Sequence, residues 1–365
     1  MKIAIVTDFL TQLGGAEKVL EVLHEIWPEA PIYTLVYNEK ATRGQFSSYE
    51  IKTSFLQKIP LAKRYYRWFL PLMPKAIEKL DFYNYDLVFS VCSAFTKGVI
   101  VPAKTKSICY LLTPTRYLWV EPEEYLRNLR GLENLAKFFL PKVLDYLRQW
   151  DLQAIKRPNK IIAISQFIKK RIEKYYQCTP DSVIYPPVEV NKFFISQEIG
   201  NYFLIISRPR YYKRVDLVIQ AFTKLKIPLK IIGMTKEEGR GLCRELKPNI
   251  EFLGYVSEKE KAEYLSQARA FIHPQEEDFG ITAVEAMASG RPVIAYRAGG
   301  ALETVIEGKT GVFFDEQNWE SLADAVLRFD ETKFDPQVIR YQAQKFSTQN
   351  FKKEIENFVQ MVCQI

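Results

Sequence analysis

Histidine is almost missing from this sequence: 365 residues hold only His24 and His273. A metal site built on imidazole ligands is therefore not expected. Cysteine is scarce and scattered. Cys92, Cys109, Cys178, Cys243 and Cys363 are odd in number and include no C-x-x-C pair, which argues against a disulfide framework and for reduced thiols serving as small core residues. Long hydrophobic runs are absent too. No stretch approaches the roughly 18–20 apolar residues of a membrane span, and the opening IAIV reaches Asp8 before a signal-peptide core could form. These absences favour a cytoplasmic chain. Low-complexity segments and short repeats are also lacking.

What is present is ordinary globular material, 47% hydrophobic and 26% charged, with enough length for two domains of roughly 150–200 residues each. Fifty-one basic against 43 acidic residues leave a net charge of +8. Such a surface suits nucleic acid, anionic lipid or anionic small molecules. No nucleic-acid-binding module is recognisable, so nucleic acid is not an expected partner.

Short apolar runs alternate with helical periodicities along the chain. KIAIVT (Lys2 to Thr7) reads as a buried parallel strand, followed by a loop through Gly14 and Gly15 and a helix on Val19, Leu20, Val22, Leu23, Ile26 and Trp27. Further strands are expected at Ile32 to Tyr37, Tyr85 to Val91, Ser107 to Leu112, Lys160 to Ser165 and Ser182 to Tyr185. YPPVEVNKF reads as a linker, because consecutive prolines continue neither helix nor ladder. A second series then begins at Tyr202, with strands at Leu229 to Gly233, Ile250 to Tyr255, Ala270 to His273 and Pro292 to Tyr296. Strands alternating with helices predict two doubly wound parallel sheets, an α/β fold.

The stretch FIHPQEEDFGITAVEAMASG, Phe271 to Gly290, concentrates the chemistry. A strand end runs through a polar loop into Gly280 and then into a helix starting near Thr282. Backbone N–H groups and the positive end of a helix dipole thereby sit at the C-terminal end of a strand, where open α/β sheets place ligands. Glu277 and Glu285 bracket the turn. For Glu285 a second reading is open: Thr282 and Glu285 fit a T-x-x-E capping box.

The spacing Glu277-x7-Glu285 within EDFGITAVEAMASGRPVIA resembles the E-x7-E motif of the retaining GT-B glycosyltransferases of family 4. The resemblance extends along the chain. Gly14 and Gly15 are similar to the GGAE element whose glycine amides face the donor phosphate. Arg208 and Lys213 match an R-x4-K pair that clamps the donor diphosphate, and Gly299, Gly300, Ala301 and Glu303 match a later turn near the nucleotide. FLQKIPLAKRYYRWFLPLMP, YDLVFS and YLLTPTRYLW resemble a bacterial subgroup that includes surface-polysaccharide mannosyltransferases. That subgroup reads C-H-T-P where this chain has Leu112, so Leu112, Thr113 and Arg116 stand at the sugar pocket with one departure.

The resemblance implies a GT-B architecture of two Rossmann-like domains facing a cleft: 1–187 plus 347–365, the C-terminal helix crossing back, and 188–346. It places Glu277 on the donor sugar's hydroxyls and Glu285 on the ribose, with Phe279, Gly280, Ile281 and Thr282 lending amides. It implies a nucleoside-diphosphate sugar as donor, a lipid-linked or saccharide acceptor, and no separate cofactor. The sequence contains no D-x-D, so Arg208 and Lys213 are expected to stand in for a metal's charge. A sugar-nucleotide epimerase and a catalytically silent nucleotide-sugar-binding subunit remain as alternatives.

One segment adds a partner. Leu56 to Leu80 carries Lys58, Lys63, Arg64, Arg67, Lys75 and Lys79 against Glu78 alone, interleaved with aromatic and aliphatic residues. It reads either as a surface lying on an anionic membrane, on its inner face, or as an amphipathic stretch packed on the core. The basic region Arg127 to Lys160 joins it if the fold brings the two together.

Overall fold

The computed structural model describes residues 1–60, 62–120, 133–243 and 246–364; the side chains of Ala62, Arg64, Arg67 and residues 133–139 are also outside the description. The chain divides into two units, Met1–Tyr185 with Lys352–Ile365, and Pro186–Phe351. Compared with the boundaries read from the sequence, residues 186–187 and 347–351 go with the second unit. The reason is backbone pairing: the Val188 amide donates to the Phe346 carbonyl and the Thr348 amide to the Val188 carbonyl.

The first unit is built on seven parallel strands: β1 (Ile3–Leu10), β2 (Ile32–Tyr37), β3 (Ile51–Thr53), β4 (Leu87–Cys92), β5 (Lys106–Leu111), β6 (Lys160–Ala163) and β7 (Ser182–Val183). Their order is β3-β2-β1-β4-β5-β6-β7. β1, β4 and β5 are apolar on both faces because helices cover both, which is why they read as continuous runs rather than alternating ones. The edge strand β3 escaped the sequence reading: three half-buried residues carry no periodicity. The C-terminal helix Thr348–Cys363 returns to this unit through buried Ile355, Phe358 and Val359 and a Lys352–Glu25 ion pair of 2.7 Å.

The second unit holds six parallel strands: β8 (Phe203–Ile206), β9 (Leu229–Ile232), β10 (Ile250–Gly254), β11 (Phe271–His273), β12 (Val293–Tyr296) and β13 (Gly311–Phe314). They run in the order β10-β9-β8-β11-β12-β13. The helix Val215–Leu225 packs Val215, Val218, Ile219 and Phe222 on this sheet with Leu322 and Val326 of Trp319–Arg328. The periodicity of VDLVIQAF is that buried face.

In the basic segment the chain forms the short helices Phe55–Lys58, Ala62–Tyr65, Tyr66–Leu72 and Met73–Glu78, with Pro71 breaking the run. Met73, Ala76 and Ile77 are core, whereas Tyr65, Leu72 and Trp68, 56% exposed, face solvent. Part of the segment thus packs on the core, as the second reading expects. The side chains of Arg64 and Arg67, and the part of the second basic region up to 139, lie outside the described residues. Among the described residues no helix is long and apolar enough to cross a membrane.

Candidate functional site

In an open parallel sheet, two adjacent strands whose chain connections leave in opposite directions open a crevice at their C-terminal ends. In the second unit that place lies between β8 and β11. The loop after β8 carries Arg208, exposed, and Lys213; the loop after β11 carries Glu277. The fold brings Lys213 and Glu277 together, Nζ against Oε1, both side chains largely buried.

The loop holding Glu277 is fixed by backbone contact. The Gly300 amide donates to the Glu277 carbonyl at 2.8 Å. A Cβ at Gly299 would lie 2.4 Å from that carbonyl oxygen, and one at Gly300 would lie 2.4 Å from the Phe279 Cα. Only paired glycines allow this approach. The turn singled out in the sequence therefore acts by holding the Glu277–Phe279 backbone.

Gly280, at φ +92°, is the N-cap of the helix Ile281–Ala288, and among the described residues no side chain caps that helix. The amides of Ala283 and Val284 turn to the Gly280 carbonyl, whereas those of Ile281 and Thr282 precede the intrahelical ladder. They are the dipole end available to an anion. This geometry overturns the capping-box reading: Thr282 is the second helical residue, not the N-cap. Glu285, 2% exposed, lies one turn inside the helix with its Oε1 3.1 Å from Lys261 Nζ. Lys261 also reaches Glu258 at 2.8 Å and sits over the Phe193 ring. A buried carboxylate needs such a countercharge.

His273 ends β11 and is fully buried. Burial first, and the nearby Lys213 ammonium second, push its pKa down to about 3, so the ring is neutral at any working pH.

In the first unit the corresponding crevice lies between β1 and β4. Asp8, 3% exposed, accepts the amides of Ser93, Ala94, Phe95 and Thr96 at 2.6, 2.8, 2.7 and 2.9 Å, and the Ser93 hydroxyl at 2.9 Å. It organises the turn after β4. Beside it a cavity of about 80 Å³ is lined by Asp8, Gln12, Glu17, Tyr66, Ser93 and Leu112, among others. Leu112 is thus part of a cavity wall. Gly14, in extended conformation, is the N-cap of the helix Gly15–Ile26 that brings Glu17 to this cavity. Thr113 is buried beside it in the chain, and Arg116 opens the short helix Arg116–Trp119.

A second anchor holds the loop from Thr113 to Trp119. Lys97 and Asp151, both fully buried, pair at 2.6 Å. Lys97 Nζ also donates to the Thr115 hydroxyl at 2.9 Å and to the Ala94 carbonyl. Asp151 accepts from Thr115 Oγ1 at 3.0 Å, Trp119 Nε1 at 2.7 Å and the Tyr176 hydroxyl at 2.7 Å. Burial opposes the Lys97 charge, but Asp151 and Tyr176 outweigh it and hold its pKa well above the ordinary lysine value. Neither Lys97 nor Asp151 was legible as a site residue, because they lie 54 positions apart and neither sits in a motif.

Residues 190–346 match the family model described as Glycosyl transferases group 1. This stretch is a group 1 glycosyltransferase domain. Among curated proteins, an uncharacterized glycosyltransferase of Methanocaldococcus jannaschii is 31% identical over 179 residues, covering 48% of this chain and 50% of that protein. The O-antigen chain mannosyltransferase RfbU of Salmonella typhimurium is 31% identical over 214 residues, 53% of this chain and 59% of that one. The chain thus spans about half the length of the curated relatives it matches. Among solved structures, Anabaena HepE in complex with UDP and glucose superposes with a TM-score of 0.71 at 19% identity, covering 98% of this chain and 99% of that one. The fold class is GT-B, two parallel-sheet α/β units, with the group 1 domain as the second. Lys213, Glu277, Gly280 and Glu285 all belong to the group 1 domain.

Proposed function

We propose that the protein is a retaining glycosyltransferase that moves a sugar from a nucleoside-diphosphate sugar to a saccharide or lipid-linked acceptor. The observation that carries this reading is the Lys213–Glu277 pair beside the Gly280 helix start in a group 1 domain. A cation and unladdered amides suit a diphosphate, and a carboxylate a step away suits sugar hydroxyls.

Donor binding would insert between the two, the diphosphate taking Lys213 and the sugar hydroxyls taking Glu277. Arg208, on the same loop, would add a second, permanent cation. The bond from the anomeric carbon to the leaving phosphate oxygen breaks, and the acceptor oxygen attacks the same face. The acceptor's proton passes to the leaving phosphate, so no side-chain nucleophile is needed. The protein contributes chiefly by stabilising charge on the departing diphosphate. Glu285, paired with Lys261, would accept from the ribose. We assign the acceptor to the first unit. The relative named as an O-antigen chain mannosyltransferase favours a hexosyl donor and polysaccharide assembly.

A thermal-shift screen of nucleotide sugars, followed by radiolabel transfer to lipid and saccharide acceptors, tests the reading. Transfer with the anomeric configuration kept supports it. Epimer formation without an acceptor, or binding without turnover on any acceptor, would turn it toward the epimerase or silent-subunit alternative.

A peripheral membrane role accompanies this proposal. Exposed Trp68, Tyr65 and Leu72 lie in the segment rich in lysine and arginine. Each basic residue near an anionic surface contributes about 1 kcal/mol. Replacing Lys63, Arg64 and Arg67 with glutamate should release the protein from phosphatidylglycerol vesicles at low salt. Sedimentation unchanged by those substitutions removes this part of the proposal.

A further inference from the structure

His273 and Gln275 leave two buried polar atoms unanswered. His273 Nε2 and Gln275 Oε1 meet no hydrogen-bond partner among the described residues, although both side chains are at least nine-tenths buried. A buried polar group without a partner is costly and calls for an explanation. The two side chains touch each other elsewhere: Gln275 Nε2 lies 3.4 Å from His273 Nδ1.

The protonation of the ring follows. A neutral imidazole carries one proton, on one nitrogen. With the Gln275 amide donating to Nδ1, that proton is on Nε2, which makes the unanswered atom a donor. It is aimed at the helix start. A Cβ built on Gly280 would lie 3.3 Å from both Nε2 and Cε1 of His273, and 3.9 Å from Glu277 Oε2. The space above Gly280 is therefore bordered by an N–H donor, a carboxylate and the first amides of an eight-residue helix.

We infer that His273 is a ligand-binding residue of the group 1 domain, its Nε2–H donating to an oxygen of the bound nucleotide sugar in the space over Gly280. This rests on the proposed function. The oxygen belongs either to the diphosphate or to a sugar hydroxyl; a neutral donor serves both, and burial keeps the proton in place. A protonated ring would compete with Lys213 for Glu277, so a histidine held neutral fits this position better than a charged one. Gly280 is required twice here: for its positive φ, and because any Cβ would press on the ring that donates.

The test uses the intact protein, His273→Phe, which keeps a flat ring without a donor, and His273→Gln, whose Nε2 can reach the same place. UDP, GDP and ADP, and then UDP-glucose, GDP-mannose and ADP-glucose, are titrated calorimetrically into each. Loss of a hydrogen bond to a charged or well-ordered oxygen predicts binding about ten- to a hundredfold weaker in His273→Phe, with His273→Gln recovering most of it. Weakening of all ligands assigns the contact to the diphosphate; weakening confined to the sugar nucleotides assigns it to a sugar hydroxyl. Nitrogen-15 NMR of the parent provides a measurement that needs no variant, since only two histidines are present. The His273 ring should show a protonated Nε2, and ligand should shift that resonance and slow its exchange while His24 stays unmoved. Undiminished affinity in His273→Phe, or a His273 resonance indifferent to bound ligand, overturns the inference. Absence of any nucleotide binding by the parent instead overturns the functional reading on which it rests.

Discussion

Replacing Lys97 with methionine should be among the most damaging single changes in the first unit, although Lys97 touches no assigned ligand. The side chain is fully buried, and its ammonium is the counterion of Asp151 at 2.6 Å. Methionine fills similar space but leaves the Asp151 carboxylate with three donors, Thr115, Trp119 and Tyr176, and without a countercharge from Lys97. Breaking a buried pair from one side costs about 3–5 kcal/mol. Lys97→Met combined with Asp151→Leu removes both charges and should recover much of that. It would not recover everything, because Trp119 Nε1 and the Tyr176 hydroxyl would lose their acceptor, at about 1–3 kcal/mol each when buried. The expected pattern is strong non-additivity: the double variant less destabilised than the sum of the singles. Urea unfolding followed by tryptophan fluorescence supplies the energies, and hydrogen exchange across residues 113–119 shows whether that loop loosens first. A cost below about 1 kcal/mol for Lys97→Met, or additive effects, would refute the view that this pair holds the loop.

Asp8→Asn should destabilise the first unit by at least about 3 kcal/mol, since an amide cannot accept all five hydrogen bonds and presents donors to donors; chemical denaturation checks it. His273 binds protons more weakly folded than unfolded, so stability should fall as pH drops from about 6.5 toward about 3, by up to about 1.4 kcal/mol per pH unit. The difference between the parent and His273→Gln across that window isolates this contribution, and parallel curves would contradict it. Glu285→Gln strips Lys261 of a buried partner and should lower both stability and donor affinity; a variant losing neither would remove Glu285 from the site. The family resemblance implies that Leu112 replaces a histidine reaching a donor-sugar hydroxyl, and an apolar wall there would cost such a hydroxyl about 1–3 kcal/mol. Turnover should therefore favour GDP-rhamnose over GDP-mannose, or UDP-xylose over UDP-glucose. A clear preference for the 6-hydroxylated sugars would discard the idea.

The strands at the centre of both sheets were legible because burial on two faces leaves uninterrupted apolar runs such as KIAIVT and YFLIIS. The edges were not. β3 has three half-buried residues, and β13 is only four residues long, three of them buried, too few for a period to show. In the candidate site, Glu277, Gly280 and the Gly299–Gly300 turn were legible because their spacing is local and their residue types are chemically constrained. The start of the helix at Ile281 was displaced by one residue, enough to turn a capping threonine into an ordinary helical one. The partners that fix charge were hidden for a different reason. Lys261 for Glu285, Asp151 for Lys97, and the turn after β4 for Asp8 are brought in from 24 to 88 positions away, and no local pattern encodes such pairings. Burial itself was hidden as well: the sequence reads His273 as a supporting polar residue at a strand end rather than a catalyst, and its complete burial shows only in the fold.

The central claim is that the Lys213–Glu277 pair divides a nucleotide-sugar donor between its diphosphate and its sugar. The most direct measurement compares nucleoside-diphosphate affinity and sugar-transfer rate in the parent, Lys213→Ala and Glu277→Ala. Lys213→Ala should weaken the diphosphate by about 1.5–3 kcal/mol and the bare nucleoside much less. Glu277→Ala should leave diphosphate binding nearly intact while abolishing transfer at saturating donor. Equal weakening of diphosphate and nucleoside by Lys213→Ala, or undiminished transfer by Glu277→Ala, would contradict the account.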